Sequence, residues 1–196
     1  MQREGTPVPA PPRLLAQGFP IHAGRHLSPA TRAPFRRHGN GPFESSFLMS
    51  FAPLGLAEPL VRALEAKGYV EPTPIQRDSI PTLLEGRDLL GIAQTGTGKT
   101  AAFVLPSIQR MAASPKRVLP THCRMLVLAP TRELASQIAE NARGYGQFSK
   151  MSVTTVFGGT SINKNRQDMS RGVDILVATP GRLIDLVEQG YCNLSM

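Results

Sequence analysis

From Met49 onward, short apolar runs alternate with amphipathic stretches, and Gly, Pro and Thr separate them. Residues 56–67 place apolar side chains at Leu56, Leu60, Val61 and Leu64, with Pro59 in the first turn and Gly68 just past the end. That spacing is one face of a helix together with its stop signal. Residues 73–84 predict a second helix, broken near Pro81. Residues 88–93 predict a strand, followed by a Gly-rich turn and a helix from Lys99 to Ala112. Further along, 125–129 predicts a buried strand, 131–145 a helix and 153–157 a strand. Then come a weaker helix over 161–169, a strand over 174–178 and a helix over 180–188. Strands alternating with helices predict an α/β fold with a parallel sheet covered by helices on both faces. No internal repeat interrupts the pattern.

Composition separates the first 48 residues from the rest. They hold 8 of the 18 prolines, three of the four histidines, six arginines, no lysine and only the acids Glu4 and Glu44. Half of the chain's net charge of +8 therefore sits there. No helical or strand period survives those prolines, so 1–48 is expected to be disordered and dispensable, with Met49 as the functional start. It has no apolar core of a signal peptide. Residues 49–196 are left as the folded domain. An isoelectric point near 10.2 makes a polyanion the expected partner without bearing on fold. No stretch approaches the roughly 18 apolar residues of a membrane span, so a soluble protein with no membrane partner is expected. The two cysteines, Cys123 and Cys192, form no CxxC pair, which argues against a disulfide scaffold or zinc site and fits a cytoplasmic location.

The strongest chemical signal is Ala93-Gln94-Thr95-Gly96-Thr97-Gly98-Lys99-Thr100, placed between a predicted strand and a predicted helix. Glycines let backbone N–H groups turn inward around a phosphate, and a helix N-terminus adds its positive end. Lys99 can reach the β- and γ-phosphates of a nucleotide, and the Thr100 hydroxyl can ligate Mg²⁺. The general pattern begins with Gly where this chain has Ala93. A Gly-rich turn with a solvated lysine is the bland alternative. Upstream, Thr73, Pro74 and Gln76 have the makings of a capping box. A glutamine amide can instead pair with an adenine edge, worth roughly 1–3 kcal/mol of base discrimination. Phe51, an isolated aromatic seventeen residues before Gly68, can stack on the same base.

Taken together these elements resemble a known family. Phe51 and Gly68–Gln76 resemble the Q motif of DEAD-box RNA helicases, and Ala93–Thr100 resembles their motif I, including its leading Ala. Pro130-Thr131-Arg132-Glu133-Leu134-Ala135 is similar to motif Ia, Gly158-Gly159 to the GG doublet, and Thr179-Pro180-Gly181-Arg182 to motif Ib. The general style resembles bacterial RhlE-type members. The resemblance implies a RecA-like P-loop NTPase domain, ATP and Mg²⁺ as cofactors, and RNA as partner. It implies nucleotide contacts from Phe51, Gln76 and 93–100, with Lys99 and Thr100 catalytic. It also implies sequence-independent grip on the RNA backbone by Pro130, Thr131, Arg132, Gly158, Gly159, Thr179, Pro180, Gly181 and Arg182.

From the residues alone, those last elements are open to another reading. Thr131 and Thr179 are ordinary N-caps, Gly158-Gly159 can be a plain turn, and Arg132 can be solvated. Their placement favours a ligand, because strand C-terminal ends emerge on one edge of a parallel sheet. Hydroxyls, bare glycine backbone and helix N-termini grip phosphodiesters without reading bases. Arg132 and Arg182 are the expected cations. The tetrad Asp-Glu-Ala-Asp does not occur in the sequence, nor does Ser-Ala-Thr. The expectation is therefore an ATP-dependent RNA helicase represented by the front of its first domain, cut before the acidic strand and inactive alone. The alternatives are a non-catalytic ATP- and RNA-binding module and, less economically, a nucleotide kinase or another phosphate-loop ATPase.

Overall fold

The computed structural model describes residues 51–195. The expected disorder of 1–48, and the start at Met49, lie outside the described residues. After a single 3₁₀ turn at Ala52–Leu54 come helices α1 (Glu58–Ala66), α2 (Pro74–Leu84) and α3 (Lys99–Ala113). Strand and helix then alternate as β1 (Cys123–Leu128), α4 (Arg132–Tyr145), β2 (Val153–Val156), α5 (Ile162–Met169), β3 (Val173–Ala178) and α6 (Pro180–Glu188).

The sheet has three strands in the order β1-β3-β2, all parallel. Each crossover carries a helix, as a parallel pair requires. β3 is central, with Met125 facing Ile175 on one side and Val153 facing Ile175 on the other. Its alternating side chains serve two cores. Ile175 and Val177 join Val127, Ala129 and the apolar faces of α1 to α4. Leu176 and Ala178 join Val156, Met169, Leu183 and Leu186, with α5 and α6. The sheet is thus covered on both faces, as the sequence pattern predicts.

Several boundaries follow local chemistry. α2 starts with the capping box: the Thr73 side chain takes the N3 amide, and the Gln76 side chain returns to the Thr73 amide. α4 is capped by the Thr131 hydroxyl, which accepts from Leu134 N–H. α2 runs unbroken through Pro81, contrary to the expected break. A proline removes one backbone bond, and a helix packed on both flanks holds without it.

The predicted strand over 88–93 is absent. These residues have no strand geometry, and Leu90 and Ile92 are 86% and 85% exposed. A strand is defined by its ladder, and among the described residues none pairs with this segment. The same lack of a neighbour leaves β1 as a sheet edge, with Leu128 56% exposed. A cleft of about 590 Å³ runs along that edge, lined by Ser107, Arg110, Met111 and Arg124 among others.

Candidate functional site: a glycine-rich loop clasped by one helix, and the loop after β2 held by two arginines

The phosphate loop is anchored by α2 rather than by a strand. Thr73 Oγ1 donates to the Thr97 carbonyl at 2.8 Å, and Gln76 Nε2 donates to the Gly98 carbonyl at 3.2 Å. The other end of the Gln76 amide accepts from Thr73 N–H at 2.9 Å. One buried side chain therefore both caps α2 and clasps the loop. Gly98 adopts φ +86°, and a Cβ placed there would lie 2.3 Å from Gln76 Nε2. Glycine is required on both counts.

Lys99 opens α3 and folds its ammonium back onto the loop, donating to the Ala93 carbonyl and, at 2.6 Å, to that of Gln94. Thr97 Oγ1 closes a turn onto the same Gln94 carbonyl at 2.8 Å. Gln94, Thr95 and Gly96 are exposed, and Ala93, Thr97, Gly98, Lys99 and Thr100 are half-buried. No side chain caps α3, so its first-turn amides keep donors free at the positive end of a 15-residue helix. Glycine backbone, one lysine and uncapped amides suit a phosphate group. The Thr100 hydroxyl in that first turn suits one position on a Mg²⁺ ion whose other ligands come from phosphate and water.

The expected base readers are placed otherwise. Phe51 is fully buried, its ring edge-on to Tyr69 at 6.1 Å between centroids. Tyr69 in turn packs edge-on against Tyr145, and their hydroxyls hydrogen-bond at 2.8 Å. Gln76 is also 0% exposed, with both ends of its amide engaged. In this conformation neither side chain is presented to a base. An isolated aromatic near the start of a domain gives no sequence signal that it belongs to the core.

A second cluster forms where the three strands end. Thr131 follows β1, Gly158-Gly159 follows β2 and Thr179 follows β3, so the parallel sheet does bring them to one edge. Pro130, Thr131, Arg132, Gly159, Pro180 and Gly181 are exposed there, with Gly158 and Thr179 half-buried. Both guanidiniums bond to the protein itself. Arg132 Nη1 donates to the Gly158 carbonyl at 3.1 Å. Arg182 Nη1 donates to the Thr160 carbonyl at 2.9 Å and to Asn165 Oδ1 at 3.0 Å. Its Nε lies 3.5 Å from Asp185, and the side chain is only 15% exposed. Asn165, 2% exposed, is a residue the sequence reading missed. Among the described residues no hydrogen bond between side chains joins this cluster to residues 93–100; α3, which those residues open, packs against α4, which Thr131 caps.

Among the described residues no group of acids, histidines and cysteines could hold a metal by itself, and no helix is long and apolar enough to cross a membrane.

The family model for DEAD/DEAH box helicase matches residues 73–196. DEAD-box ATP-dependent RNA helicase 20 of Oryza sativa subsp. japonica is 45% identical over 74% of this chain and 29% of its own length. ATP-dependent RNA helicase SrmB of Haemophilus influenzae is 44% identical over 72% of this chain and 32% of its own. The crystal structure of the yeast DEAD-box splicing factor Prp28 superposes with a TM-score of 0.65 at 39% identity, over 71% of this chain and 34% of that one. The chain thus spans between 20% and 34% of the length of relatives it matches, and shares its fold with a DEAD-box protein. With a family match over more than half of its length, the chain belongs to the DEAD/DEAH-box helicase family.

Proposed function

We propose that the chain is the ATP-binding and RNA-backbone-gripping portion of an intracellular, cytoplasmic ATP-dependent RNA helicase. The observation that carries the reading is the uncapped start of α3, where glycine backbone, Lys99 and Thr100 converge at the end of a helix clasped by Gln76. Residues 93–100 hold the nucleotide phosphates, Lys99 supplies positive charge, and Thr100 offers its hydroxyl to Mg²⁺. The bound cation would neutralise phosphate charge there; the protein's own share is to orient the nucleotide against α3. Direct reading of adenine by Gln76 and Phe51 is supported by the sequence pattern alone and requires both to leave their present partners.

The edge formed by Pro130–Arg132, Gly158-Gly159 and Thr179–Arg182 takes the RNA backbone. Exposed amides and hydroxyls without base-reading side chains favour sequence-independent binding, with log affinity falling linearly in log salt. Titration of the 196-residue chain with a fluorescent ATP analogue and Mg²⁺, and separately with short single-stranded RNAs of different sequence, tests both halves. Saturable binding of each is expected, with little dependence on RNA sequence. Failure to bind either ligand refutes the corresponding half.

A further inference from the structure

The loop that leaves β2 carries the glycine doublet, and its shape is set from inside the protein. Thr160 Oγ1 donates to the Phe157 carbonyl at 2.9 Å and reaches Asn165 Oδ1 at 3.3 Å. Asn165 Oδ1 also accepts from Arg182 Nη1, and Asn165 Nδ2 points back to the Thr155 carbonyl of β2 at 3.5 Å. Arg182 Nη1 holds the Thr160 carbonyl as well. One buried asparagine therefore joins a strand, the loop and the first turn of α6. Its amide is satisfied at both ends, which in a dry site fixes geometry rather than adding much net stability.

This arrangement changes the role expected of Arg182. A guanidinium that is 15% exposed, with Nη1 on two oxygens and Nε near Asp185, is oriented into the protein. Above the loop, by contrast, a Cβ built on Gly158 or Gly181 would meet nothing within 4 Å, whereas one on Gly159 would meet the Arg132 guanidinium. Open backbone faces outward there.

We propose that Asn165 and Arg182 are positioning residues. They hold the backbone of 158–160 in register with the N-terminus of α6, so that glycine amides rather than the Arg182 charge meet a phosphodiester chain. The proposal rests on the RNA-backbone reading above, and its test separates the two.

The test uses the 196-residue chain with Asn165→Ala, Arg182→Ala and the double variant. Hydrogen exchange without RNA reports the loop's anchorage: the amides of residues 164 and 165, which donate to the Ser161 carbonyl where the loop enters α5, should exchange about tenfold faster in either variant, with β3 unchanged. Affinity for short single-stranded RNA should fall about tenfold in each single variant and no further in the double. The salt slope of Asn165→Ala should match the unaltered chain, because no phosphate contact is lost. Unchanged exchange overturns the proposal. So does an additive double variant in which Arg182→Ala lowers the slope by about 0.7, the signature of a direct phosphate contact on a single strand. If the unaltered chain binds no RNA, the RNA-backbone reading fails, and exchange alone still decides whether the cage holds the loop. Should Asn165→Ala unfold the chain, with β3 exchange lost as well, Asn165→Asp retains the accepting oxygen. Native exchange at 164 and 165 in that variant supports the cage; faster exchange there overturns it.

Discussion

Replacing Gln76 with alanine separates a glutamine that reads a base from one that holds the protein together. The side chain is 0% exposed and joins two segments through 2.9 Å and 3.2 Å hydrogen bonds. Removing it leaves the Thr73 amide and the Gly98 carbonyl without their partners. Both residues are half-buried, so water recovers part of the loss, and each bond is worth about 1 kcal/mol. The void left by the amide and its methylenes adds roughly 1 kcal/mol. The expected destabilisation is about 3 kcal/mol, or a fall of about 10 °C in Tm for a folded unit of this size. Urea melts of the ligand-free chain followed by far-ultraviolet circular dichroism give the free energy. An unchanged m-value would show that the compactness of the end states is preserved. A loss below about 1 kcal/mol would refute the clasp. That result, together with weakened ATP but not GTP binding, would restore Gln76 as a reader of adenine.

Two further perturbations follow from buried groups. Burial, and secondarily the neighbouring Cys192, pushes the Cys123 thiol up to about 11; burial also raises Cys192, while burial and then the hydrogen bond shared with Tyr69 raise Tyr145. The folded state thus holds these protons more tightly than the unfolded chain, so stability present below about pH 9 is lost as pH rises through 11, and a urea midpoint flat from pH 8 to 11 would contradict this. Asp174 pairs with Arg124 at 3.3 Å and accepts from both Ser152 N–H and Ser152 Oγ, the two charged side chains being 11% and 16% exposed. Asp174→Ala should therefore cost about 3 kcal/mol in the same melts, and a change under 1 kcal/mol would show that the pair is dispensable.

What the sequence reveals here is what depends on neighbours a few residues away. The capping box at Thr73–Gln76 and the Thr131 cap are short-range devices, and both occur as read. The Gly-rich run before α3 is similarly local, and its glycines do take positive φ at 96 and 98. The failures involve partners far along the chain. Leu89, Leu90 and Ile92 have a strand's composition, but a ladder needs a second strand, which no local pattern supplies. Phe51 has the same local appearance whether it stacks on a ligand or on Tyr69. Asn165 sits four residues before buried Met169 on the inner face of α5, and one polar residue on an apolar face is a faint signal. Arg132 and Arg182 were legible only as candidate cations of a site, and nothing local showed that their hydrogen bonds go to the protein.

The phosphate loop's lysine is the remaining case in which location and role must be separated. The Lys99 ammonium is satisfied by the carbonyls of Ala93 and Gln94, at the start of the loop. Two kinds of donor thus meet at one place: an ammonium on surrogate acceptors, and first-turn amides of α3 with no side-chain cap. A phosphate supplies acceptors to both, but it must first displace the carbonyls, so some of the interaction energy is spent in opening the loop. Because the Gln94 carbonyl is exposed and the Ala93 carbonyl only half-buried, water replaces most of what the ammonium supplied when Lys99 is removed. Lys99→Ala is therefore expected to change stability by less than about 1 kcal/mol while lowering affinity for Mg-ATP by at least about tenfold, since a charge-assisted bond is lost. Isothermal titration with Mg-ATP, alongside urea melts of the same samples, measures the two effects separately. A large loss of stability with affinity intact would make Lys99 a structural tether of the loop, and the phosphate-binding assignment would then have to rest on the α3 amides alone.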